Sequence, residues 1–137
     1  MTQPSASACP CGSQRIYADC CGPLHDGAPA PGAAALMRSR YSAYVLGIES
    51  YLLATWHSST RPARLDLAAA PAPAPRWLGL EVKRHADTGA DAAIVEFVAR
   101  YRIAGRAHRL HEVSRFVREA GRWYYVSGEF PASADRS

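Results

Sequence analysis

Val95-Glu96-Phe97-Val98-Ala99-Arg100-Tyr101-Arg102-Ile103 is the stretch whose reading decides the fold. Val95, Phe97, Ala99, Tyr101 and Ile103 fall on one side of an extended chain, and Glu96, Val98, Arg100 and Arg102 on the other. That period of two marks a β-strand with one buried face. The same period precedes it in Leu78, Leu80 and Val82, and follows it over Leu110–Val117 and Trp123–Ser127. Asp87-Thr88-Gly89, Ala104-Gly105 and Glu119-Ala120-Gly121 read as turns, so the strands form an antiparallel meander.

Upstream the period becomes helical. Met37, Tyr41, Tyr44 and Ile48 share a face, with Arg38 and Ser42 opposite, in a helix over Ala33–Leu46 stopped by Gly47. Glu49–Trp56 reads as a second helix, with Glu49 in its first turn, and Ala63–Ala69 as a short third. Pro71, Pro73 and Pro75 preclude regular structure and mark a loop. Helices followed by a meander predict an α+β domain, its helices packed on one face of a curved antiparallel sheet. Such a sheet leaves a pocket at its open end.

All four cysteines lie in Cys9-Pro10-Cys11-Gly12-Ser13 and Tyr17-Ala18-Asp19-Cys20-Cys21-Gly22. Two tight pairs joined by a short loop suit a tetrahedral ion, and Zn²⁺ takes four thiolates in closed structural sites. Gly12 lets the chain fold back behind Cys11, and Arg15 is the near cation that would offset a negative centre. A structural zinc supplies roughly 10–16 kcal/mol of apparent folding free energy to a segment with no core of its own. Other readings stay open: disulfides, strained within each pair and suited to an oxidising compartment; a redox thiol; or His25 replacing one thiolate.

The chain has 137 residues, 48% of them hydrophobic, and a formal net charge of +4. That accommodates one domain of ordinary size plus a small appendage. The basic excess permits contact with RNA, ribosomes or acidic protein surfaces, but no dense Lys/Arg run requires it. No signal peptide and no run of about 20 apolar residues is found, so a soluble cytoplasmic protein without membrane contact is expected. An exposed sheet face is also compatible with a dimer.

The cysteine stretch resembles the SEC-C motif at the C-terminus of the SecA translocation ATPase, with Gln14 where the usual motif has a second glycine. The resemblance implies Cys9, Cys11, Cys20 and Cys21 as zinc ligands. Leu36–Val45, Tyr51–His57, Phe97–Tyr101 and Ser114–Val126 resemble the YchJ-like bacterial family, which implies a nuclear transport factor two-like cone. The implied organisation is a zinc module over residues 1–25, a linker over 26–34, the cone over 35–131 and a tail over 132–137.

Three functions follow. The first is a zinc-binding adaptor that docks on a protein or ribosomal partner through the SEC-C-like motif, as the SecA motif is understood to do. The second is a cone enzyme, isomerase- or dehydratase-like, using His57, Glu112 and Arg115 for acid–base chemistry, or a small-ligand binder with the same residues. The third is direct RNA binding through the basic excess. The sequence leans towards the adaptor. Glu112 paired with Arg100 or Arg115, and His57 capping its helix, explain those residues without catalysis.

Overall fold

The computed structural model describes residues 8–65 and 76–130. Three helices, α1 (Cys21–His25), α2 (Ala33–Leu46) and α3 (Glu49–Ala54), precede four strands, β1 (Arg76–Gly89), β2 (Ala92–Ile103), β3 (Arg106–Glu119) and β4 (Arg122–Glu129). The strands form one antiparallel sheet in chain order, the meander that the alternation of apolar residues predicts.

On β2 the expected face is the core face. Val95, Phe97 and Ala99 are buried, with Phe97 between Val82 of β1 and Glu112 of β3, but Val98, expected on the open face, is fully buried too. Bulges correct the alternation on the two outer strands. A register shift between Trp77 and Gly79 turns Trp77 inward, beside Tyr41, and leaves Leu78 47% exposed. A second shift, opposite Arg115 and Phe116, pairs Tyr125 with Phe116 but Gly128 with Ser114. Both Tyr125 and Gly128 therefore face inward although they are three positions apart, because a bulge inserts one residue and resets the side-chain parity. The turn expected at Asp87–Gly89 lies instead at Ala90–Asp91, where Asp91 accepts from Arg118 at 2.9 Å.

Helix α2 has the predicted bounds. Gly47 takes φ 75°, Ile48 N–H bonds the Ala43 carbonyl at 2.8 Å and Gly47 N–H the Tyr44 carbonyl at 3.3 Å, the Schellman termination that a left-handed glycine allows. Its environment differs from expectation. Ser42, on the side expected to be polar, is fully buried, and so is Ser39, because the cysteine segment and α3 cover that flank while the sheet covers the other. Cys9, Cys11 and Cys21 belong to the same core as Leu36, Met37 and Phe116.

The second helix ends at Ala54, short of Trp56. Backbone bonds take over there: Tyr125 N–H to the Thr55 carbonyl at 2.8 Å and His57 N–H to the Tyr125 carbonyl at 2.7 Å, a parallel bridge that seats Trp56 beside Tyr125. The expected third helix is absent over residues 63–65. Its remainder, the proline loop, the first seven residues and the tail lie outside the described residues.

Candidate functional site

The cysteine segment begins as a small hairpin. Cys9 N–H bonds the Arg15 carbonyl at 2.9 Å, and Ala8 bridges Ile16. Its tight return uses two left-handed residues, Gly12 at φ 80° and Gln14 at φ 72°. Glycine holds that conformation freely, whereas a glutamine is strained in it. A short 3₁₀ turn over Tyr17–Asp19 then delivers Cys20 and Cys21 to the start of α1. Gly22 is required behind them, since a Cβ there would lie 2.8 Å from the Tyr17 carbonyl oxygen.

The four sulfurs converge to within 4.8 Å of one another, and Cys9, Cys11 and Cys21 are buried. No disulfide joins them. Cys11 Sγ lies 3.5 Å from Cys20 Sγ, which lies 4.0 Å from Cys21 Sγ. These spacings bracket the roughly 3.8 Å edge of a tetrahedron with metal–sulfur bonds of about 2.3 Å. The donor set therefore fits a closed tetrahedral ion.

Two serines complete the surroundings. Ser13 Oγ lies 3.1 Å from Cys20 Sγ, and Ser42 Oγ donates to Cys21 Sγ at 3.3 Å and lies 3.5 Å from Cys9 Sγ. The cation that reaches the module is Arg38 of α2, bonding the Cys11 carbonyl at 3.0 Å, rather than the exposed Arg15. A hydrogen bond from Cys21, then others from Ser13 and Cys20, brings the pKa of Cys11 down to about 4. Cys21 is raised by holding the proton of that bond, and Cys20 by burial.

His25 is not among the converging ligands. Its Nε2 lies 2.8 Å from the Ser39 carbonyl, which only accepts, so Nε2 carries the proton. Nδ1 then accepts from the Tyr17 hydroxyl at 2.6 Å. With both nitrogens engaged, this neutral imidazole ties the cysteine segment to α2, and its ring packs edge-on against Tyr51 of α3. Burial lowers its pKa.

The cone encloses a cavity of about 300 Å³ between α2 and the sheet. Glu112 lines it; His57 and Arg115 do not. His57 Nε2 bonds Glu119 at 2.7 Å and its Nδ1 lies 2.7 Å from Ser59 Oγ, so it does not cap α3. Arg115 pairs with Glu129 at 2.6 Å and Arg100 with Glu81 at 3.8 Å, neither with Glu112. The three residues of the acid–base reading are thus not brought together.

What joins Glu112 is Ser114, donating at 2.7 Å, and Tyr125, donating at 3.2 Å. Burial and the neighbouring Glu112 raise the pKa of Tyr125. Arg40 also lines the cavity, its guanidinium 4.5 Å from the Tyr125 ring centre and 5.2 Å from that of Trp56. It donates to the Leu52 carbonyl at 2.8 Å and to Thr55 Oγ1 at 2.7 Å. Arg38 and Arg40 thus both bond backbone carbonyls. Sequence reasoning missed Arg40 as a cavity residue, although it stands three residues from Met37 and four from Tyr44, on their helical face.

Residues 32–128 match the family described as YchJ, middle NTF2-like domain, and residues 7–23 match the SEC-C motif. A UPF0225 protein of Methylibium petroleiphilum is 62% identical over 123 residues, 88% of this chain and 87% of its own length. One from Ralstonia nicotianae is 56% identical over 132 residues, 90% of this chain and 91% of its own. The solution structure of a SEC-C motif containing protein from Rhodopseudomonas palustris superposes with a TM-score of 0.79 at 37% identity, covering 90% of this chain and 98% of that one. The crystal structure of a SEC-C motif containing protein from Psychrobacter arcticus gives 0.78 at 32%, covering 93% and 84%. Among the described residues no helix is long and apolar enough to cross a membrane. With its cone matched along most of its length and a SEC-C motif in front of it, the chain belongs to the YchJ-like family.

Proposed function

We propose that this chain is a zinc-binding adaptor: Cys9, Cys11, Cys20 and Cys21 hold one structural Zn²⁺, and the module so shaped docks on a protein partner, ribosomal proteins included. The observation that carries the metal reading is the convergence of the four sulfurs within 4.8 Å, three of them buried. An all-thiol, closed donor set is that of structural rather than catalytic zinc. When bound, the ion supplies four bonds that fix the hairpin, the 3₁₀ turn and the start of α1 relative to one another. The chain's own residues do the rest: Ser13 and Ser42 orient sulfurs, Arg38 holds the Cys11 carbonyl, and His25 latches the module to α2.

The docking surface suggested is the hairpin rim, where Ile16 is 39% exposed beside exposed Arg15 and Gln14. An exposed apolar side chain on the return strand of a metal-set hairpin, flanked by polar ones, is what a small protein interface uses as its anchor.

Elemental analysis of protein purified under reducing conditions tests the metal, with one zinc per chain expected and loss of it in Cys11→Ser. A well-ordered segment with no bound metal, or one holding a different ion, overturns the reading. A photo-crosslinker at position 16 tests the docking. A single protein adduct, lost on chelation, supports it, and adducts unchanged by chelation refute it.

A further inference from the structure

Glu112 and Arg40 are 8% and 6% exposed, so two charged side chains have been taken out of water to line one cavity. Burying a charge is costly unless its partners are built in, and here each charge is only partly spent. Among the described residues the hydrogen bonds of Glu112 all go to Oε2, from Ser114 and Tyr125, and those of Arg40 all leave from Nη1.

The chain also gives up a side chain to seat this carboxylate. A Cβ at Gly128 would overlap it, lying 2.6 Å from the carboxyl carbon. The remaining lining is largely aromatic, Tyr41, Tyr44, Trp77 and Phe97 included. Tyr41 and Trp77 meet edge to face at 5.6 Å, which holds both rings in place and offers an aromatic surface to an aromatic guest.

The volume, the aromatic lining and the charge balance narrow the class of ligand. At about 300 Å³ the cavity is at the small end of organic-ligand sites. A dry cavity of about 150 Å³ takes one benzene, so twice that suits two fused rings. The cation of Arg40 and the carboxylate of Glu112 offset each other, which disfavours a ligand of either net charge. Arg40 already covers the faces of Tyr125 and Trp56 that an organic cation would need.

We propose that the cavity is a binding site for a small uncharged bicyclic aromatic molecule carrying one N–H or O–H donor, which Glu112 receives on Oε1 between the aromatic walls. The site is distinct from the thiol cluster and stands whether or not that cluster holds zinc.

Indole and 1-methylindole are the probes, since they differ by the single donor. Titrations of the full chain followed by heteronuclear NMR should show saturable indole binding, with shifts at Tyr44, Trp77 and Glu112. Loss of the donor to a charged acceptor should weaken 1-methylindole about ten-fold or more. Benzoate and benzyltrimethylammonium should both bind more weakly than indole. Glu112→Gln, which keeps the shape, should narrow the indole to 1-methylindole ratio. If that variant fails to fold, intermolecular NOEs from indole to the Trp77 and Tyr125 rings of the unaltered chain decide the location. No saturation at millimolar indole, equal binding of the two indoles, tighter binding of either ion, or contacts outside the cavity each overturn the proposal.

Discussion

Ser42, in the interior of α2, donates its hydroxyl to the sulfur of Cys21 over 3.3 Å, although they stand 21 positions apart in the chain. A hydroxyl in that position orients a thiolate and spreads its charge, and such outer partners are typically worth 10–100-fold in metal affinity. Ser42→Ala should therefore weaken metal retention about ten-fold, read by competition with a chromophoric chelator, with the far-ultraviolet spectrum unchanged.

Gln14 sits at φ 72° where the usual SEC-C pattern carries glycine. A side chain in the left-handed region costs roughly 1–2 kcal/mol, and glycine returns part of this as unfolded-state entropy. Gln14→Gly should raise stability by about 0.5–1 kcal/mol, measured as a shift of the urea midpoint of the metal-loaded protein at unchanged slope.

His25 predicts a pH dependence. Its folded pKa is below the ordinary value of 6.5 because it is buried, so below that pH the unfolded chain binds the extra proton more readily. The stability it contributes is present above 6.5 and is lost as pH falls from there through the folded value. Thiol ligands also release metal in acid, so the informative quantity is a difference. The stability gap between the parent and His25→Gln should be widest near pH 7.5 and should shrink by pH 5.5.

Gly128→Ala should displace the Glu112 carboxylate from Ser114 and Tyr125, given the overlap a Cβ would create. Overpacking of this sort costs about 1–3 kcal/mol. A double-mutant cycle isolates the cause: in a Glu112→Ala background the same change should be nearly neutral. An equal cost in both backgrounds would place the strain in the β4 backbone.

The periodic parts of this architecture were legible. The alternation along β2, the helical spacing up to Leu46 with Gly47 after it, and the clustering of the cysteines all survive in the folded chain. What escaped was set by tertiary geometry. Ser42 reads as solvent-facing until the cysteine segment lies over it. Leu78 and Trp77 exchange faces at a bulge, and a second bulge brings Tyr125 and Gly128 to the same side. No residue type announces either shift. His57 and Arg115 drew attention by their chemistry, yet they bond Glu119 and Glu129 away from the cavity, while Arg40 lines it.

Helix α2 acts as a party wall. On one flank it bonds the Cys11 carbonyl through Arg38 and a cysteine sulfur through Ser42; on the other it presents Arg40, Tyr41 and Tyr44 to the interior of the cone. A rotation of the helix by even a few degrees must be felt in both rooms, since these residues interleave within two turns. A ligand that turned the helix from one side would thus act on the other, and by reciprocity each would adjust the affinity of the other by the same factor.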